Sequence, residues 1–230
     1  MWFKPTFITA MDIPDAWFQC VNEIQDLGFR YEIQQGSNVG QTRLEFDYVT
    51  VLIAQPYIEP YDLMLPQIPL HLNIPNPVAP GYIEQYLPYL MTADIKDNEE
   101  YTYGSRLNEV FIHGSLCGNQ VQGFIDLLKK TPNTNQAILR VCQPSDIFLP
   151  DPPCLCIIDM RIKDGHLIFY PYFRSWDLWA GFPANLAAIT VLQKYMADEI
   201  GVNLGPICAS SKGLHLYDYA ERLAKLRTNR

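Results

Sequence analysis

Residues 154–173 read Cys154-Leu155-Cys156-Ile157-Ile158-Asp159-Met160-Arg161-Ile162-Lys163-Asp164-Gly165-His166-Leu167-Ile168-Phe169-Tyr170-Pro171-Tyr172-Phe173. Leu155 to Ile162 is rich in aliphatic residues and predicts a strand. Lys163-Asp164-Gly165 predicts a hairpin turn, because Asp-Gly tolerates the positive φ angles that a tight reversal needs. The return strand then runs from His166 to about Phe173.

Working outward, Leu186 to Ile200 predicts a long helix. Ile189, Leu192, Met196 and Ile200 face inward, and Gly201 closes it. Upstream, Ala137 to Val141 predicts a strand. Gln120 to Lys130 predicts a helix with Val121, Phe124, Ile125 and Leu128 on one face and lysines in its last turn. Tyr82 to Leu90 reads as a short helix. Residues 55–81 hold prolines at 56, 60, 66, 69, 75, 77 and 80, which favours an extended surface segment over a regular element. Arg43 to Ile53 predicts one strand. Asp12-Ile13-Pro14-Asp15 starts a helix that carries Ile13, Trp17, Cys20, Val21, Ile24 and Leu27 at helical spacing up to Gly28. No internal repeat interrupts the series. The expectation is an α+β fold, a mixed β-sheet with helices packed on one side, in a single domain over residues 1–230.

Composition bounds the function. Hydrophobic residues make up 48% and charged residues 18% of 230, enough for a sizeable core and unlike a disordered chain. A net charge of −8 argues against broad nucleic-acid binding, which needs a basic surface to displace counterions. A small anionic ligand needs only one local cationic pocket. The apolar runs are shorter than the roughly 20 residues of a membrane span. Met1-Trp2-Phe3-Lys4-Pro5 lacks the pattern of a secretory signal, so a cytoplasmic protein is expected. The six cysteines lack the paired spacings of a disulfide framework or zinc ribbon, and no metal site is expected.

Chemistry gathers in the last third. Pro152-Pro153-Cys154 precedes the first hairpin strand, and Arg174-Ser175-Trp176-Asp177 follows the second. Gly181-Phe182-Pro183-Ala184-Asn185 opens the long helix, and His215-Leu216-Tyr217 comes later. In order and spacing these resemble the thymidylate synthase family: a proline–cysteine step, an Arg-Ser-x-Asp segment, a Gly-x-Pro-x-Asn helix start and a His-x-Tyr. Tyr101-Thr102-Tyr103-Gly104 resembles the family's Tyr-Gly segment more loosely. The texture, including Ser211-Lys212-Gly213 before Leu214-His215, is most like the compact archaeal branch.

The resemblance implies C5 methylation of dUMP to dTMP. Uracil C5 is too weak a nucleophile to attack a one-carbon donor, and a thiolate adding at C6 turns C5 into an enolate carbon. Cys154 is implied as that thiolate, and Arg174 as the cation that favours it and holds the nucleotide phosphate. Ser175 is implied beside it in the substrate site. An asparagine amide matches N3–H and O4 of uracil, so Asn185 points to a uracil base. His215 and Tyr217 are implied at the sugar 3′-hydroxyl, and Asp177 at the pterin. Glu84 and Tyr103 are implied in proton transfer at the ring. The co-substrate would be methylene-tetrahydrofolate or methylene-tetrahydromethanopterin, and the assembly a homodimer.

Each residue also has a plainer reading. Cys154 alone reads as a buried structural cysteine, Arg174 as a surface charge, and Asn185 as the cap of a helix beginning at Leu186. His215 and Tyr217 could share a packed face, Asp177 could be a helix-start charge, and Glu84 could lie on an exposed helix face. The chain also departs from the family pattern. Leu155 stands where histidine follows the nucleophile, and Asn133-Thr134-Asn135-Gln136 where an arginine pair serves the partner's phosphate. Arg43 is then a second candidate for the phosphate. Only 13 residues follow Tyr217, so the long C-terminal tail of bacterial members is not expected. A pyrimidine nucleotide hydroxymethylase, a catalytically silent nucleotide-binding relative and a Cys154–His215 hydrolase are the competing readings.

Overall fold

The hairpin predicted from Asp-Gly is the spine of the main sheet. In the computed structural model, which describes residues 2–35 and 38–230, Asp164 and Gly165 take φ of 51° and 72° at the turn. The elements in order are β1 (Pro5–Ala10), α1 (Ile13–Leu27), β2 (Phe29–Glu32), β3 (Thr42–Glu45) and β4 (Tyr48–Ile53). Then come α2 (Tyr82–Tyr86), α3 (Pro88–Met91), α4 (Tyr103–Asn108), β5 (Val110–Ile112), β6 (Ser115–Gly118), α5 (Gln120–Lys130) and β7 (Ile138–Arg140). The site-bearing part comprises β8 (Leu155–Lys163), β9 (His166–Phe173), β10 (Trp176–Asp177), α6 (Gly181–Ile200), β11 (Asn203–Ser211), β12 (Leu214–Tyr217) and α7 (Asp218–Thr228).

Six strands form the main sheet in the order β1-β4-β11-β9-β8-β7. The pairs β1–β4 and β11–β9 are parallel, and the other three are antiparallel. The sheet is therefore mixed, and the fold is α+β. The parallel β9–β11 pair requires a crossover, which α6 supplies. Leu167, Phe169 and Phe173 on β9 are buried, while Ile168, Tyr170 and Tyr172 between them are only half-buried. The period of two thus presents one face to α1 and α6 and leaves the other uncovered. Buried apolar residues from Ile8 to Ala224 form one cluster. The buried amide of Gln193 on α6 donates to Leu167 O (2.8 Å) and Gly205 O (3.2 Å), satisfying backbone at the bulge between Leu204 and Ile207. Among the described residues no helix is long and apolar enough to cross a membrane.

Three expectations need correction. Arg43–Ile53 is two strands, not one. Beyond Glu45 the chain leaves one sheet for another: β3 pairs with β2 and β12 in a four-stranded sheet, and β4 joins the main sheet. Buried Phe46, whose N–H donates to Leu214 O (3.0 Å), marks the change. The segment 82–90 is broken at Pro88 into α2 and α3. The long helix begins at Gly181, not Leu186, so Asn185 is one turn inside it and is not its cap. Asp177 takes that work. Its carboxylate accepts from the N–H groups of Trp179 (3.1 Å), Ala180 (3.1 Å) and Gly181 (3.0 Å), three donors that the helix start leaves open.

Candidate active site

A cleft of about 330 Å³ opens where the two larger sheets meet. Cys154, Arg174, Ser175 and Tyr217 of the predicted set line it, together with Ile33, Gln35, Asn38, Arg43, Glu45, Asp151, Lys212 and Gly213. Register explains the meeting. β12 pairs antiparallel with β3, setting Tyr217 opposite Arg43 and His215 opposite Glu45. The strand β10 runs beside β12, with Trp176 opposite Leu214 and Asp177 opposite His215. Gly213 comes so near this backbone that a Cβ there would lie 3.0 Å from Arg174 O.

Cys154 is a free, half-buried thiol just before β8. Arg174 N–H donates to Cys154 O (2.9 Å), which ties the end of the hairpin to the cysteine. Burial raises the thiol's pKa; the Arg174 guanidinium pulls it down, and Asp151 and Cys156 push it up again. Burial outweighs the guanidinium, so the net shift is upward. Arg174 itself is engaged: Nε donates to Pro153 O (2.9 Å) and Nη2 to Pro152 O. It braces the Pro-Pro-Cys step while a third of its side chain stays open to solvent. Arg43 donates through Nε to Glu45 (2.6 Å). With Lys212, which sequence reasoning overlooked, the cleft holds three cationic side chains.

His215 is buried, and its Nδ1 lies 2.8 Å from Gly213 O. Only a protonated Nδ1 can bond a carbonyl, so in the neutral ring Nε2 is the bare acceptor, and it has no hydrogen-bond partner among the described residues. Burial lowers the imidazole's pKa, so the Glu45 carboxylate 3.9 Å away faces a neutral ring and not an ion pair. Such an Nε2 suits a ligand hydroxyl that donates. Tyr217 packs edge-on to His215 at 4.6 Å.

Asn185 projects from the first turns of α6 with both ends of its amide bonded. Oδ1 accepts from Trp176 Nε1 (3.2 Å), and Nδ2 donates to Tyr86 Oη (3.0 Å). Tyr86 was not anticipated. Its hydroxyl is held protonated mainly by burial, with Tyr82 and Cys154 close enough to add to the effect. Tyr103 accepts from Leu155 N–H (3.2 Å), and burial raises its pKa well above the ordinary range, with Tyr86 and Cys154 again contributing. Cys154 acts on Tyr101 and Tyr217 in the same direction, so four tyrosines, 86, 101, 103 and 217, lie near the thiol. Leu155 is fully buried in the core. Glu84 stands apart, exposed on α2 with no hydrogen bond among the described residues. Residues two apart on a helix lie on opposite sides, so Glu84 faces away from the side by which Tyr86 reaches Asn185. Beside Tyr86, the rings of Tyr82 and Tyr89 stack on it at 5.9 and 6.2 Å, next to Lys96.

The family profile described as thymidylate synthase matches residues 84–230. A protein of Methanosarcina barkeri (strain Fusaro / DSM 804) named "Putative thymidylate synthase" is 29% identical over 92% of this chain and 89% of its own length. Proteins of the same name from Methanococcoides burtonii and Methanothermobacter marburgensis are 30% and 27% identical, over 92% and 95% of this chain and 89% and 96% of theirs. The matched region takes in Cys154, Arg174, Asn185 and His215 alike, and the chain belongs to the thymidylate synthase family.

Proposed function

We propose that the protein is a thymidylate synthase that methylates dUMP at C5 through a covalent bond between Cys154 Sγ and C6 of the ring. The observation that carries the reading is the shared cleft, in which a half-buried thiol and the arginine braced beside it open onto the same space. The nucleotide phosphate is held by Arg174 with Arg43 and Lys212, Ser175 lies beside it, and the sugar hydroxyl donates to His215 Nε2 next to Tyr217. Asn185 reads the base edge. The thiolate's pair forms the Sγ–C6 bond, and the displaced C5=C6 π pair moves through C4 onto O4 as an enolate. C5 then bonds to the pterin's methylene carbon, and the C5 proton leaves as the bond from that carbon to the pterin nitrogen breaks. Hydride from the reduced pterin or a separate hydride donor adds to the exocyclic methylene, expelling the thiolate and restoring the C5=C6 bond.

The methylene group comes from a reduced pterin, tetrahydrofolate or tetrahydromethanopterin. Asp177 uses three backbone donors yet keeps lone-pair capacity on its two oxygens, which fits a donor on a pterin edge. Tyr103 assists proton movement at the ring, with Glu84 in a supporting place. A homodimer is part of the proposal: the uncovered sheet face carries Leu52, Ile157, Ile168, Tyr170, Tyr172 and Cys208, all half-buried, an apolar surface that a second copy would cover.

The test is release of tritium from C5-labelled dUMP with each pterin, on wild type and Cys154→Ala. Release by wild type and none by the variant is expected; release that survives in the variant would sink the nucleophile assignment. Product analysis belongs to the same experiment, since 5-hydroxymethyl product would mean that water and not a reductant meets the methylene carbon. Light scattering at micromolar protein should give twice the chain mass of 26.4 kDa.

A further inference from the structure

An asparagine cannot by itself tell uracil from cytosine. Uracil offers N3–H as donor and O4 as acceptor; cytosine offers N3 as acceptor and its amino group as donor. A half-turn of the terminal amide exchanges Oδ1 and Nδ2 and converts a match for one base into a match for the other. Discrimination therefore requires something that stops the turn, and this must come from the amide's other contacts.

Among the described residues, two side chains hydrogen-bond to that amide. Tyr86 Oη is 3.0 Å from Nδ2, but a hydroxyl both donates and accepts, so it would serve either orientation. Trp176 Nε1 is different: an indole N–H donates and never accepts. At 3.2 Å from Oδ1, it would confront an N–H donor if the amide turned. The indole also has little freedom to move away. It is 2% exposed, stacked on Phe173 with centroids 4.0 Å apart and planes 6° from parallel, and packed against Phe182 at 4.6 Å. Its backbone N–H donates to Gly213 O (2.9 Å). A buried donor left facing a donor is the costly case.

We infer that Trp176 is the positioning residue for base choice: it locks the Asn185 amide in the orientation that accepts uracil and refuses cytosine. The inference rests on the reading of Asn185 as the residue that meets the base. In the locked orientation each end keeps one free valence, a lone pair on Oδ1 for N3–H and a hydrogen on Nδ2 for O4. Tyr86 supports Nδ2 without choosing its direction, so tyrosine and tryptophan play unequal parts.

The experiment titrates dUMP and dCMP calorimetrically into wild type, Tyr86→Phe, Trp176→Phe and Asn185→Asp. Because Trp176→Phe disturbs a stacked core, a further protein carries benzothienylalanine at position 176, which keeps the ring shape and removes only the N–H. Wild type should prefer dUMP. Loss of the N–H, in Trp176→Phe or the isostere, should reduce the dUMP-to-dCMP affinity ratio about tenfold or more, with dUMP weakened and dCMP gained. Tyr86→Phe should weaken binding with the ratio kept. Asn185→Asp should turn the preference toward dCMP. If Asn185→Asp shifts the ratio and the isostere leaves it intact, Asn185 reads the base but Trp176 does not orient it, and the inference fails alone. Should the ratio ignore Asn185→Asp as well, or wild type bind neither nucleotide, the underlying reading fails with it.

Discussion

The two walls of the cleft are built differently. One comes from the ends of β8, β9 and β12. There Cys154 and Arg174 are joined by a backbone hydrogen bond, His215 is buried on the same strand as Tyr217, and the neighbours Leu155, Phe173 and Leu214 are wholly buried. The other comes from β2, β3 and the chain between them. β2 is exposed along its whole length and is the outermost strand of its sheet, and its wall presents Ile33, Gln35, Asn38 and Arg43. Groups that form and break bonds need positions set closely, and they stand on the wall with the deeper packing. Groups that hold a charged ligand tolerate more give, and one such group, Arg43, stands on the shallower wall. In the proposed reading chemistry stands on the deep wall alone, and capture is shared between Arg174 there and Arg43 opposite.

Variants on each wall can break that contrast. Cys154→Ala should give the largest effect, a loss of at least about 10³-fold in tritium release; a smaller loss would mean that the deep wall does not hold the nucleophile. Arg174→Gln should lower kcat/KM about a hundredfold, since it loses both a phosphate contact and the brace on the Pro-Pro-Cys step. It also removes the cation that pulls the Cys154 thiol down. The rising limb of the pH profile, which reports ionisation to thiolate, should therefore move to higher pH; a limb that stays in place would separate Arg174 from the thiol. Arg43→Gln on the shallow wall should raise KM for dUMP about tenfold with kcat nearly kept. A fall in kcat instead would assign that wall to chemistry. Glu84→Gln should have the smallest effect, a few-fold in kcat, given its exposed place on α2. A drop beyond tenfold would bring Glu84 to the ring in the complex.

The same contrast explains what could be read from the chain. The deep wall is written locally. Strand alternation, an Asp-Gly turn and closely spaced Pro-Cys, Arg-Ser and His-x-Tyr segments each carry their meaning within a few residues, so β8, β9 and their site residues were legible. The shallow wall is not. β3 and β4 read as one strand because Leu44, Phe46 and Tyr48 alternate without a break into the apolar run that follows, and only the pairing of Phe46 with Leu214 across the molecule reveals the break. Tyr86 and Trp176 escaped for a similar reason. A tyrosine on a short helix and a tryptophan inside a motif gain their roles from Asn185, which lies 99 and 9 residues away. The start of α6 was misplaced because its cap lies four residues before Gly181, beyond a short turn that no helical periodicity marks.

In the proposed reading that cap would tie the two substrates together. Asp177 holds the N–H groups that begin α6, and Asn185 projects from the same opening turns, so a pterin drawing on the carboxylate and a pyrimidine drawing on the amide would act on one rigid segment. By thermodynamic reciprocity, whatever the nucleotide does to pterin affinity the pterin does equally to nucleotide affinity. On that reading the opening turns of this helix would couple the two affinities by the same factor whichever substrate enters first.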